Sequence, residues 1–487
     1  VKHHVSLAHA DEERNGTASV LLGSPQPISK PALALLSAIA VLAVAASAVL
    51  LPLLAIGVIV TFLFSVWIIR YPAAGAYLLV AVVPIVSGLR RDVPVPGLRI
   101  SELLVATIAA LVLVFASRAN WQRSRWNSVD RWLFAYALFS VLVSALHLGV
   151  RGSGVPLELI GSTLLPLQFF LMYRAVLVAL PASVQRGFAL KLLLLASLVA
   201  CGLAIVQQLD IGPARELVVA LTDSGSLQSA SYEFYARATG PFQHWHTLAG
   251  YLTVILLVAV ALLLQKDQQI LSQRWLWIVT AAASAALMLS VTFTSIIGVV
   301  VGVVILGWRY GQLGATLKWC SLGLLLAMGL FGSFVVERFE DQYFGREGAI
   351  LPQTISMRLD VWINQYIPGL SGYWALGYGP DLPNVVTWEH TESAYITLLL
   401  RGGLPLLFLF VMGLLFILDR TRRAETSVPH ERAAVAALFV VVAVSFFMNL
   451  LFPYATSSGM SQPLWALAGI ALGSQLSGPS LSRERST

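Results

Sequence analysis

The run "TLAGYLTVILLVAVALLL", residues 247–264, carries no charged side chain across eighteen positions, and stretches like it recur along the chain. Apolar segments fall at about 33–48, 51–69, 73–88, 102–117, 131–148, 158–178, 188–207, 246–264, 275–290, 293–308, 316–334, 394–418, 432–451 and 461–473. A water-soluble protein cannot hide this many apolar segments. Of the 487 residues, 57 % are hydrophobic and only 11 % charged, against roughly 25 % charged in an ordinary soluble domain. Lipid must cover what charge does not, and in lipid the backbone must satisfy its own hydrogen bonds within helices. The expected fold class is therefore all-α: a polytopic transmembrane helical bundle of about 12–14 spans with a large extracytoplasmic loop. Several segments are shorter than the ~20 residues of a straight span, and Pro52 allows 33–69 to be a re-entrant pair or two short spans.

Loop charge orients the bundle. With the N-terminus in the cytosol and one crossing per segment, Arg70, Arg118, Arg123, Arg125, Arg131, Arg186, Lys191, Lys266, Arg274, Arg309, Lys318, Arg420, Arg422, Arg423 and Arg432 all fall inside. This is the bias that sets helix orientation. Arg90, Arg91 and Arg99 fall outside and run against it, partly balanced by Asp92 and Glu102. The formal net charge of +7 is spread over these loops, so it sets topology and gives no nucleic-acid reading. The expected organisation is a disordered cytosolic tail over 1–30, a membrane domain over 31–475, and a second disordered cytosolic tail over 476–487. Residues 1–30 lack the basic start and apolar core of a secretory signal. Cys201 and Cys320 lie in separate apolar contexts and are not expected to pair.

Two long outer loops, 208–245 and 335–393, hold much of the chain's remaining chemistry. The first ends in "RATGPFQHWHTLAGYL" (237–252), which sets Arg237, His244 and His246 at the mouth of an apolar run. His244 and His246, two residues apart, do not share a helical face, so no metal is assigned. In the second loop, Arg358, Trp362 and Tyr366 recur every four residues, as on one face of a short interfacial helix that Pro368 and Gly369 end. "GYGP" (377–380) then makes a tight turn with Gly377 and Gly379, whose amides are placed to meet an anion. Glu389, His390 and Glu392 stand at the mouth of the next apolar run, where clustered ionisable groups are costly unless used or hydrated. Either carboxylate can raise the basicity of His390. Arg401 lies nine residues beyond Glu392, about 13 Å deeper if helical, followed by Gly402, Gly403 and Pro405. That pattern suggests an unwound segment, with the arginine facing a cavity or a partner. Aromatic residues of the outer loops, Trp362 and Tyr395 among them, are expected as interface anchors or as platforms for sugar rings. No zinc-protease, serine-elbow, P-loop or dinucleotide motif occurs.

The order of these pieces resembles the O-antigen ligase and O-antigen polymerase superfamily. The matching residues are Arg237, Gly240, Pro241, Phe242 and His244, then Arg358 and Trp362, then Gly377 and Gly379, then His390 with Tyr395, within roughly 185–475. The resemblance implies transfer of a glycan from an undecaprenyl diphosphate carrier on the outer face of a bacterial cytoplasmic membrane. The acceptor would be lipid A core or another glycan, with no metal or other cofactor. Arg237 and Arg358 would hold the diphosphate and His390 would act on the acceptor hydroxyl; His244, Glu389, Glu392, Trp362, Tyr395, Gly377 and Gly379 would contact substrate. Two departures stand out. Trp245 and His246 replace the family's proline and asparagine, and the hairpin "SVTFTSIIG" (290–298) lacks the family's arginine, so that cationic contact is either missing or supplied by Arg338 or Arg346. A secondary transporter of a polar or lipid-linked solute is the alternative expectation, and a non-catalytic membrane scaffold a third.

Overall fold

Every described apolar segment is a helix, because only helices let these runs bury side chains while pairing every interior amide. A computed structural model describes residues 20–23, 25, 26, 37, 38, 41, 52–91, 98–116, 120, 121, 124–151, 157–222, 224, 237–266, 269–343, 351–380 and 391–476. In chain order the helices are α1 (Pro52–Arg70), α2 (Pro72–Ala81), α3 (Val83–Val86), α4 (Ile100–Phe115), α5 (Ser128–Arg151), α6 (Leu157–Ala179), α7 (Ser183–Gln208) and α8 (Ala214–Thr222). Then follow α9 (Trp245–Gln265), α10 (Gln273–Leu289), α11 (Phe293–Arg309), α12 (Leu313–Tyr343), α13 (Gln353–Val361), α14 (Ala394–Arg422), α15 (Pro429–Leu451) and α16 (Ser458–Leu476). By length and composition, α5, α7, α9, α14 and α15 can each cross a membrane. A sixth span arises if α1 and α2, bent by 111° at Tyr71, are taken together.

The segments expected as outer loops depart from simple loops. α12 runs on to Tyr343, well past the start of the expected loop at 335, and α8 occupies part of the 208–245 loop. In the N-terminal stretch expected as a loose tail, Leu21 and Gln26 are docked: the Tyr77 hydroxyl donates to the Leu21 carbonyl at 2.8 Å and the Gln26 amide to the Arg70 carbonyl at 3.0 Å. Residues 1–19 and 477–487 lie outside the described residues.

α9 is the axis of the bundle. It is apolar all round, and helices α10, α11, α15 and α16 pack against it, as expected of a helix with no polar stripe. Two buried ion pairs tie the ends that loop charge assigns to the cytosol. Arg174 meets Asp130 at 3.0 Å and also donates to the Ser124 carbonyl; Arg186 meets Glu431 at 2.5 Å and also donates to the carbonyls of Leu180 and Pro181. The extra acceptors matter, because a buried pair offsets its desolvation cost only when its remaining donors are satisfied.

α14 is broken where the sequence suggests it. Gly402 and Gly403 leave helical geometry, Gly403 at φ 68°. The break is filled by the turn that precedes "GYGP": the Leu404 amide donates to the Trp374 carbonyl at 2.8 Å and the Tyr378 amide to the Leu400 carbonyl at 2.6 Å. Backbone opened within a helix is thereby satisfied by protein rather than left to lipid. A side chain on Gly403 would meet the Trp374 carbonyl oxygen at 2.4 Å, and one on Gly377 (φ 62°) the Leu400 carbonyl oxygen at 2.4 Å.

Candidate functional site

The site grows from the N-terminal mouths of α9 and α14. α13 continues through a π-helical turn, Trp362–Tyr366, to Ile367–Gly369. Arg358 and Trp362, one turn apart on its face, line a cavity of about 220 Å³ with Thr354, Met357, Val361, Thr391 and Glu392. The Trp362 indole donates to the Thr391 carbonyl at 2.9 Å, pinning the strand-like approach to α14. Arg358 donates from Nε at 3.2 Å and from Nη2 at 2.5 Å to one oxygen of Glu392, Oε2. Among the described residues, Arg358 Nη1 and Glu392 Oε1 have no hydrogen-bond partner, so the pair retains a donor and an acceptor. Glu392 also sits at φ 51°, the left-handed region that a glutamate rarely adopts. Such backbone persists only where its surroundings hold it, and it clusters at functional sites.

The buried phenol of Tyr454 meets the mouth of α9 at His246. It lies within electrostatic reach of Arg358 and Glu392, accepts a hydrogen bond from Ser295 Oγ at 3.2 Å and meets His246 Nδ1 at 3.4 Å. Burial holds this phenol well above its ordinary pKa. Burial, and then the Glu392 carboxylate, push Tyr366 up to about 12, so both phenols stay protonated over the ordinary range. The His246 ring stacks on Phe452 with centroids 4.4 Å apart and neighbours Trp245 at 5.5 Å. The Arg237 guanidinium lies 4.6 Å from the Trp245 ring centroid, a cation–π placement worth ~0.5–2 kcal/mol. Arg237, Trp245, His246 and Tyr454 thus form one series of contacts, and the Arg358–Glu392 pair lines the neighbouring cavity.

The loop behind Arg237 is held from below. Gln207 Oε1 accepts from the Thr239 amide at 3.1 Å and the Gly240 amide at 3.0 Å, and the Ala238 amide donates to the Leu289 carbonyl at 3.0 Å. That last bond places the 290–292 hairpin beside Arg237. Its Val291, a β-branched residue, is held at φ 45°.

Several expected site residues have different surroundings from those the sequence suggests. Glu392 pairs with Arg358, a partner the sequence did not suggest; His390, the partner it did suggest, lies outside the described residues. The Tyr395 hydroxyl donates to the Phe446 carbonyl at 2.7 Å and fastens α14 to α15. In the glycine turn, the Gly377 amide donates to the Tyr373 carbonyl at 2.7 Å and the Tyr378 amide to Leu400, so these two amides are already engaged; Gly379 packs on His147. His244 is exposed at the start of α9, where its side chain makes no capping hydrogen bond, and its ring stands edge-on to Trp245. Glu389 and His390 lie outside the described residues, as do Arg346 and the side chain of Arg338.

Tyr454, Phe452 and Ser295 belong to the site without having been singled out in the sequence. The one available signal was "FPY" (452–454), two aromatics about a proline at an outer break between apolar runs. Neither a protein-family model nor a curated protein matches the chain. What the structure establishes is a polytopic helical membrane protein with charged and aromatic side chains gathered at one end of the bundle.

Proposed function

We propose that this protein transfers or polymerises glycan from an undecaprenyl diphosphate carrier on the outer face of a bacterial cytoplasmic membrane. The observation that carries the reading is the Arg358–Glu392 pair: strained, half-buried, lining a cavity at a helix mouth, and retaining an open guanidinium donor. Diphosphate is already a good leaving group, and what it needs is charge neutralisation as the sugar–oxygen bond breaks. A guanidinium fork suits that task. In this reading Arg358 and Arg237 bind the diphosphate, and Glu392 holds Arg358 in place until the anion arrives. The acceptor hydroxyl attacks the anomeric carbon as the bond to the diphosphate oxygen breaks. Its proton passes to His390, the base indicated by the sequence, and direct attack inverts the sugar. The aromatic series Trp245, Phe452 and Trp362 gives flat apolar faces beside the charges, which suits sugar rings. The order of motifs shared with the O-antigen ligase and polymerase superfamily supports the same chemistry.

The test is incubation of the purified protein with undecaprenyl-diphosphate glycan and candidate acceptors, followed by sizing of the products. A single transfer to lipid A core identifies a ligase and a ladder identifies a polymerase. No product with any acceptor removes the proposal.

One observation favours a transporter instead: α14 is discontinuous beside a half-buried arginine, and broken helices build many transporter sites. Against it, the break is already filled by the 373–378 turn. Ion-gradient-driven flux into sealed vesicles would establish the transporter reading.

A further inference from the structure

The C-terminal ends of α11 and α14 lie level against α15, on which both helices pack. Arg309, the last residue of α11, donates from Nη2 to the carbonyl of Thr421, in the last turn of α14, at 3.3 Å. Between the two helices lies a cleft of about 690 Å³, within the ~300–1,000 Å³ of ordinary ligand sites. It is at the opposite end of α14 from the Arg358–Glu392 cavity.

The walls of the cleft change character with depth. Arg309 and Arg422 stand at its mouth, each in the last turn of its helix. Ile305 and Leu418 line it one turn further in, about 6 Å along each axis. Phe439 closes it on the α15 side, about 15 Å along that helix from its start. The Arg309 guanidinium lies 5.0 Å from the Phe439 ring centroid, a cation–π placement. Trp308, largely exposed, forms the lip.

Positive charge is in excess at the mouth. Asp419, the carboxylate that lines the cleft, pairs with Arg423 at 2.7 Å. Arg309 keeps Nε and Nη1 without a hydrogen bond among the described residues, and Arg422 is exposed. Arginines in the last turn of a span are ordinary topology anchors, and Arg420 and Arg423, which do not line the cleft, need no other reading. Arg309 and Arg422 differ because both line one cavity whose inner wall is apolar.

We infer that this cleft binds an anionic phospholipid, with its phosphate at Arg309 and Arg422 and an acyl chain along Ile305, Leu418 and Phe439. Guanidinium groups match phosphate oxygens, and basic pockets between membrane helices hold anionic headgroups. The order of the walls selects lipid over a soluble phosphate ester. The charges stand at the helix ends, where headgroups lie, and the apolar surface is on the bilayer side of them. The inference does not rest on glycan transfer.

The experiment is native mass spectrometry of the full chain in detergent, with dioleoyl phosphatidylglycerol or dioleoyl phosphatidylcholine added at equal concentration. The chains are identical, so only the headgroup differs. The parent should retain phosphatidylglycerol over phosphatidylcholine by about tenfold or more, and Arg309→Gln and Arg422→Gln should each cut that preference by about fivefold, the contribution of one basic residue at an anionic surface. Asp419→Asn, which removes the opposing charge, should raise it. Arg420→Gln, at the same helix end but outside the cleft, should leave it unchanged. If Arg309→Gln fails to fold, Arg422→Gln carries the test with Arg309→Lys, which keeps the charge, loses the fork and should retain part of the preference. Glycerol phosphate in large excess should leave the lipid bound, since it has no chain to reach Phe439. Equal retention of the two lipids by the parent would overturn the inference, as would an equal loss in Arg420→Gln and Arg422→Gln. Displacement of the lipid by glycerol phosphate would assign the cleft to a soluble phosphate ester and overturn it too.

Discussion

Single residues carry most of the site's organisation, and Trp362 shows how. Its indole fixes Thr391, whose neighbour Glu392 grips Arg358. Trp362→Phe keeps the ring against the cavity and deletes one hydrogen bond, a change of ~1 kcal/mol in stability. The melting temperature should fall slightly and turnover by more, measured by thermal unfolding and transfer rate on the same preparation. Tyr454 gives a second prediction. Tyr454→Phe removes the hydroxyl that joins Ser295 to His246, and Tyr454→Ala also empties fully buried volume, at ~3–5 kcal/mol by analogy with other large aromatic truncations. The alanine variant should therefore lower the melting temperature far more than the phenylalanine variant. The sequence announces some of these residues and hides others for a physical reason. Arg358 and Trp362 stand one helical turn apart, which spacing reveals. His246 and Tyr454 are separated by 208 positions, and no local pattern records such a pairing. Nor does sequence show that Glu392 turns toward Arg358, because a left-handed glutamate follows from the surrounding packing and not from its own propensity.

At the scale of elements, apolar periodicity locates the helices well and their ends less well. The segments at 246–264 and 293–308 lie within a residue or two of α9 and α11, since an uninterrupted apolar run has only one way to satisfy its backbone in lipid. α12 outruns its apolar segment because polar residues such as Glu337 and Glu340 continue the helix. The break in α14 was legible as "RGG" with Pro405 four residues past Arg401. What fills it was not, since the Trp374–Tyr378 turn arrives from another part of the outer loop. This junction makes a direct prediction. Gly403→Ala forces a side chain onto the Trp374 carbonyl at an unfavourable φ, and Gly377→Ala does the same to the Leu400 carbonyl. Each should destabilise the protein by at least ~1 kcal/mol. Gly329→Ala on α12, where an added methyl meets nothing within 4 Å, should be neutral or slightly stabilising, since alanine is the better helix former. Melting temperatures of the three variants, measured side by side, check the contrast.

For the whole molecule, the all-helical membrane fold was fully legible, because composition leaves a chain this apolar no soluble alternative. Arg420, Arg422 and Arg423 gather at one end of α14, and the Arg358–Glu392 cavity lies at the other; the positive-inside bias predicts that the cavity faces outward. In a Cys320→Ser background, with Cys201 buried, His244→Cys should react with a membrane-impermeant maleimide from outside intact cells. Arg423→Cys should react only after permeabilisation. The reverse pattern would place the cavity in the cytosol, away from any carrier-linked glycan presented outside. The proposed function stands or falls on transfer of a carrier-linked glycan at the cavity at the mouth of α14. The most direct measurement is the initial transfer rate from undecaprenyl-diphosphate glycan for the purified parent, Arg358→Ala, Arg358→Lys and Glu392→Gln, each verified as folded by its melting curve. The account predicts a loss of about 10²–10³-fold for Arg358→Ala, in line with removal of one preorganised donor to a developing charge, little rescue by lysine, and an intermediate loss for Glu392→Gln. Folded variants that all transfer glycan at the parent's rate would contradict it.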